Sequence, residues 1–145
     1  MLEYFSKNAN IELGAIGAES IVPFSNQRLL KGCTASMNGN SIQINKCGVY
    51  GVDCDVCFET SAACDITLTL YVDGVAQPQA TFTSTVAATD TFVTSHISTY
   101  VTKQDNNCRC NPCTTPTNIY LAVSSSVADT EVSFQTTDIK VYKAI

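Results

Sequence analysis

Eight cysteines are the main chemical resource of this chain, at positions 33, 47, 54, 57, 64, 108, 110 and 113. Three fall within Cys108-Arg109-Cys110-Asn111-Pro112-Cys113, between the polar stretches Asp105-Asn106-Asn107 and Thr114-Thr115-Pro116. Thiols this close on a polar loop can converge on one centre, either a thiolate-bound metal or a disulfide cluster. Tetrahedral zinc takes four ligands, so this loop would need at least one more from elsewhere. Cys54-Asp55-Val56-Cys57 is a C-x-x-C, but residues three apart on a strand face opposite ways and cannot share a ligand without a bulge. Cys54 falls on an apolar face and reads as a small core residue. Cys57 and Cys64 flank residues 59–63 and could close a disulfide across them. A thioredoxin-like redox pair is disfavoured, because that motif opens a helix in an α/β pattern.

Other catalytic chemistry has little to stand on. His96 is the one histidine, set among Thr, Ser and aromatic residues. No neighbouring pattern marks it as the base of a nucleophile–base pair. There is no phosphate-cradling glycine loop and no zinc-hydrolase motif. The expectation is a protein that is not an enzyme.

The elements that must position these residues are strands. Tyr50, Val52, Cys54, Val56 and Phe58 alternate, as do Ile66, Leu68, Leu70 and Val72 against Thr67, Thr69 and Tyr71. Ile119, Leu121 and Val123 form another set, and so do Val93, Ile97 and Val101. This period of two, with abundant Thr, predicts half-buried pleated strands. Turn signals separate the runs at Asn38-Gly39-Asn40, Asp73-Gly74, Ala88-Thr89-Asp90 and Ala128-Asp129. No stretch shows helical spacing with caps. About eight to ten short strands in one unit predict an all-β sandwich or barrel.

Composition narrows the partners. A net charge of −5, with eight Lys and Arg scattered along the chain, offers no basic stripe for nucleic acid. No apolar run is long enough for a membrane span. Met1 to Lys7 lack the pattern of a signal peptide, so synthesis and folding are expected in a cytosol, where disulfides are disfavoured. Only 14% of residues are charged against 45% hydrophobic. Such a balance suggests that a subunit interface replaces charged surface.

Residues 1–19 are broken by Gly14-Ala15 and Gly17-Ala18 and admit two readings. They form an opening strand, or residues 1 to about 9 form an arm anchored on a neighbouring protein by Tyr4 and Phe5. Residues 20–145 form the sandwich domain.

Ile42-Gln43-Ile44 followed by Cys47-Gly48-Val49-Tyr50 resembles the Gly-x-Tyr strand of tumour-necrosis-factor-like and complement-like jelly rolls. Asp65 to Gly74 resembles the following strand and its Asp-Gly turn, and Val132 to Tyr142 resembles the closing strand. The wording is similar to bacterial and phage members, found in collagen-like spore-surface proteins and in phage capsid decoration or head-fibre proteins. No collagen-like Gly-X-Y stem is present, which moves weight toward a virion component. The resemblance implies an antiparallel jelly-roll β-sandwich that forms a homotrimer. The expected function is therefore structural: a capsid decoration or head-fibre protein, made in the host cytoplasm, that binds the major capsid protein and stabilises the capsid surface. The alternatives are a carbohydrate- or receptor-binding module, with a host-surface glycan as partner, or a spore- or cell-surface structural protein.

The residues add to this. One face of the strand at 91–102 carries Val93, Ile97 and Val101, and the other carries Phe92, His96 and Tyr100. Two apolar-leaning faces suggest a sheet covered on both sides, with Phe92, His96 and Tyr100 in the trimer interface. Asp53 and Asp55 share a strand face. Repeated threefold they could bind a cation on the axis, although a solvated acidic face is the plainer reading. In the jelly-roll topology the strand starting near Cys47 runs antiparallel to the one ending near Val101. Cys33, Cys47, Cys108, Cys110 and Cys113 would then share one end of the sandwich. Four of them could hold a structural zinc, or they could pair as disulfides.

Overall fold

Alternating sequence becomes two packed antiparallel sheets in the computed structural model. It describes residues 2–6, 9–12, 14, 19–22, 26–30, 35–87, 92–103 and 116–144; for residues 2–6, 9, 10, 26–30, 35, 37 and 38 it gives the backbone. The described strands are β1 (Leu2–Ser6), β2 (Ala9–Glu12), β3 (Ser20–Ile21), β4 (Asn26–Leu30), β5 (Ala35–Asn38), β6 (Ser41–Ile44), β7 (Gly48–Thr60), β8 (Cys64–Val72), β9 (Val75–Val86), β10 (Val93–Lys103), β11 (Thr117–Ser125) and β12 (Glu131–Lys143). The first sheet has the order β10-β7-β12-β1-β4, with β2 also on β12. The second has the order β5-β6-β11-β8-β9, with β3 on β11. The chain crosses repeatedly between the two, from β7 to β8, β9 to β10, β10 to β11 and β11 to β12. This is the expected all-β antiparallel jelly roll.

The core lies where the inner faces meet. Tyr50, Val52, Cys54, Val56 and Phe58 of β7 are buried, against Ile66, Leu68 and Leu70 of β8 and Ile119, Leu121 and Val123 of β11. Phe58 and Phe134 pack with ring centroids 5.8 Å apart at 55°. Each such side chain contributes about 1.5–3 kcal/mol through burial. Tyr50 can be wholly buried because its hydroxyl donates to the Lys46 carbonyl at 2.6 Å, leaving no orphaned polar atom.

Turn chemistry follows the sequence. Asp73 and Gly74 both have positive φ, 50° and 78°, which is the twist a two-residue hairpin needs between β8 and β9. Gly39 turns the β5–β6 hairpin, where Asn38 pairs with Ser41. The expected turn at 88–90 lies outside the described residues. On β12 a bulge between Phe134 and Thr136 reverses which parity faces inward. Val132 and Phe134 are buried before it, and Thr137, Ile139 and Val141 after it.

The opening segment belongs to the sandwich. Residues Leu2–Ser6 pair with β12 on one side and with β4 on the other, and Ala9–Glu12 pair with β12 further along. Tyr4 and Phe5 therefore sit on an inner strand of the first sheet, not on a separate arm. The division at residue 19 does not separate an appendage from the body.

Cys54 is buried in the core, as its place on the alternation predicts. The pairing of Cys57 with Cys64 is not found, and both are free thiols. Cys57 lies on the outer face of β7 in the first sheet, half-exposed, whereas Cys64 is buried at the start of β8 in the second. Strand alternation turns the two side chains into different environments.

Candidate assembly surface

The register of β10, β7 and β12 arranges the outer face of the first sheet in rows. Tyr100, Gly51 and Tyr142 form one row; Ser98, Asp53 and Lys140 the next; His96, Asp55 and Asp138 the next; Thr94, Cys57 and Thr136 the last. Alternation sends all of these side chains away from the core, since Ser95, Ile97 and Val101 of β10 point inward.

Contacts within the rows are polar and short. His96 Nδ1 lies 2.6 Å from Asp55 Oδ1, with both side chains about half exposed. Ser98 Oγ donates to Asp53 Oδ1 at 2.6 Å. Tyr100 and Tyr142 are hydrogen-bonded to each other. Desolvation, then the Asp53 charge and Tyr100, raise the Tyr142 pKa above the ordinary phenol value. Tyr142 lies across Gly51 so closely that a Cβ there would occupy the ring's position. The Cys57 thiol reaches Gln135 Oε1 at 3.8 Å.

Beside these rows the two sheets end together. β9 and β10 are terminal strands, bridged where Ser84 Oγ and Ser95 Oγ meet at 2.8 Å. Residues 75–86 contain no charged side chain, and residues 93–102 contain only His96. Phe82 is 45% exposed, Phe92 51% and Tyr100 65%. A shallow groove of about 170 Å³ runs between the strands, lined by Gln79, Ala80, Thr81, Phe82, His96, Ile97 and Ser98. An unpaired, uncharged strand edge with exposed aromatics is a surface that folded proteins normally cover.

A nucleophile is not assembled here. Burial, then the charges of Asp53 and Asp55, drive the Cys54 thiol pKa well above its usual range, so it is inert. His96 contacts Asp55 on the outer face, on the opposite side of β7 from Cys54. Asp53 and Asp55, read as a shared acidic face, are engaged by Ser98 and His96. Sequence reasoning placed Phe92, His96 and Tyr100 on one exposed face and missed their cross-strand partners. For His96, the acidic residues on the neighbouring alternating strand were the available signal.

At one end of the sandwich, Gly48 pairs with Lys103, and Ile44 pairs with both Ala35 and Thr117. The antiparallel relation expected between the strand near Cys47 and the strand ending near Val101 is present. Buried Lys103 donates to Thr117 Oγ1 at 3.2 Å. Cys47 is disulfide-bonded. Cys33, Cys108, Cys110 and Cys113 lie outside the described residues. Among the described residues no three His, Cys, Asp or Glu side chains gather to hold a metal, and no helix is long and apolar enough to cross a membrane.

The fold is a jelly roll of the tumour-necrosis-factor-like kind. Solved structures similar to it include Eiger TNF from S. frugiperda, 12% identical, covering 100% of this chain and 92% of that one with a TM-score of 0.67. Murine APRIL at pH 5.0 is also 12% identical and covers 94% of this chain and 99% of that one, with a TM-score of 0.63. At this identity the likeness is one of fold. No family model and no curated protein matches the chain.

Proposed function

We propose that this chain is a non-catalytic assembly protein, a homotrimer of jelly rolls that coats or projects from a larger surface. The observation that carries the reading is the uncharged border of β9 and β10, with Phe82 and Phe92 exposed along it, next to an outer face of the first sheet that carries the tyrosine row. The border and the row are different patches of one subunit. Contact between unlike patches is heterologous, and it closes into a ring when the rotation allows. Phe92, His96 and Tyr100 would lie at this interface. Sedimentation equilibrium on the intact chain tests it: a trimer at micromolar concentration is expected, and a monomer would overturn the reading.

The larger surface is a phage capsid and the partner its major capsid protein, a reading supported by the order of the jelly-roll segments in the sequence. Immunogold labelling of purified virions with antibody to the chain should decorate capsid surfaces; unlabelled capsids would sink it. The disulfide at Cys47 favours the cysteines as a covalent staple at one end, over structural zinc.

A host-surface glycan is the second reading. Tyr71 and Tyr120 stack on the outer face of the second sheet, 5.0 Å apart and within 6° of parallel. Beside them is the Glu19 carboxylate, hydrogen-bonded to Tyr71, and further along the same face are the paired hydroxyls of Thr67 and Thr83. Stacked, half-exposed rings with a carboxylate at their edge suit sugar rings. A glycan array with no signal would remove this reading.

A further inference from the structure

We infer that the glycan bound by this chain is an extended one free of acidic groups, laid along the outer face of the second sheet with one sugar ring against Tyr71 and Tyr120; this rests on the glycan reading above. Core burial of the alternate residues turns Asp65, Thr67, Thr69 and Tyr71 of β8 outward, together with Asn118, Tyr120, Ala122 and Ser124 of β11. Tyr71 stands opposite Tyr120, and the two rings stack 5.0 Å apart within 6° of parallel. A ring face carries the negative part of the quadrupole, so it attracts the C–H groups on the flat side of a sugar. Glu19 accepts the hydroxyl hydrogen of Tyr71, which anchors that ring. A carboxylate has room for several donors, so the same group can take a sugar hydroxyl as well.

Polar pairs continue in line from the rings. Thr67 and Thr83 meet at 3.0 Å, and one row further Thr85 donates to Asp65 Oδ1 at 2.9 Å. Where one hydroxyl donates to another, the pair still offers a donor and several lone pairs. Tyr71 and Thr67 are separated along β8 by about 13 Å, at roughly 3.3 Å per residue, which is longer than a single sugar ring. Thr69 and Ala122 between them are small and buried, so nothing bulky on these strands interrupts the line. Charge then decides the class of sugar. The strands of the second sheet contain no Lys, Arg or His; their charged residue is Asp65, with Glu19 and Asp73 adjoining. Lys46 follows β6 beyond the row of Ile44 and Thr117. A sialylated, sulfated or uronate sugar would bring its charge beside carboxylates, with no cation from these strands to pair it. Neutral hydroxyls meet donors and acceptors instead.

The test is a glycan array probed with the intact chain, carrying neutral chains from single sugars to hexasaccharides beside sialylated, sulfated and uronate chains of the same lengths. Tyr120→Ala and Glu19→Lys run alongside, with circular dichroism to confirm folding. Signal is expected on the neutral chains and should rise with their length. Tyr120→Ala should lower affinity about tenfold, the loss of one ring contact, and Glu19→Lys should admit the acidic chains. Acidic chains bound by the wild type as tightly as neutral ones, or single sugars as tightly as hexasaccharides, overturn this inference and leave the glycan reading intact. Binding that Tyr120→Ala leaves unchanged puts the sugar elsewhere and overturns it too. An array with no signal overturns both.

Discussion

Gly51 of β7 lies directly beneath the ring of Tyr142 on β12, at the row where Tyr100 of β10 completes a three-strand contact. Glycine leaves room for this stacking, because a Cβ would collide with the ring where it lies. The colliding atoms are the far end of a side chain that can swing away, so Gly51→Ala should cost the subunit only about 1 kcal/mol or so. It should also break the tyrosine row and weaken association more than folding. Urea unfolding and sedimentation on the same variant separate the two effects.

Phe82→Ser and Phe92→Ser remove exposed rings from the border of β9 and β10. Neither residue is in the core, so each should leave the unfolding free energy of the isolated subunit within about 0.5 kcal/mol of wild type. Each should raise the dissociation constant of the oligomer at least tenfold if the ring is an interface anchor. Size-exclusion chromatography with light scattering reads this directly.

Phe58→Ala removes half of the Phe58–Phe134 contact and should destabilise the fold by about 3–5 kcal/mol. Thermal unfolding should show a drop of about 10 °C or more. An effect below about 1 kcal/mol would contradict the placement of this ring in the core.

The cysteines should label in a fixed order. Under native, non-reducing conditions iodoacetamide should reach Cys57 first, because it is half-exposed. Buried Cys54 and Cys64 should react only on unfolding, and Cys47 only after reduction. Peptide mapping should link Cys47 to one of Cys33, Cys108, Cys110 or Cys113. Reduction should lower stability by about 2–4 kcal/mol.

Tyr71 should titrate late. Its hydrogen bond to Glu19, then burial and the Glu19 charge, push its pKa up to about 12. Because the folded value lies above that of an unfolded tyrosine near ~10, its stabilisation is complete below pH ~10 and lost as pH rises toward about 12. Ultraviolet difference titration should show this late phenol, and Glu19→Gln should bring it back toward the ordinary value.

Much of the fold was legible because burial and strand geometry share the same period. The alternations at 50–58, 66–70 and 119–123 are inner faces, and Asp73-Gly74 makes its turn, since each depends on neighbours in sequence. Where local pattern and pairing part, the sequence misled. The bulge after Phe134 was visible only as a change of parity between Phe134 and Ile139. The opening residues admitted an arm beside the plainer opening strand, because a strand short of apolar alternation is defined by β12 and β4 beside it.

The sequence by itself determined the strands, the uncharged stretch from 75 to 86, the buried Cys54 and the outward set of Phe92, His96 and Tyr100. Tertiary structure alone decided what those residues face. It set His96 against Asp55, Asp55 against Asp138, and Tyr142 over Gly51, and it sent Cys57 and Cys64 into different sheets. Those relations are matters of register between strands tens of residues apart. Register is fixed by how whole faces pack, and no single segment encodes it.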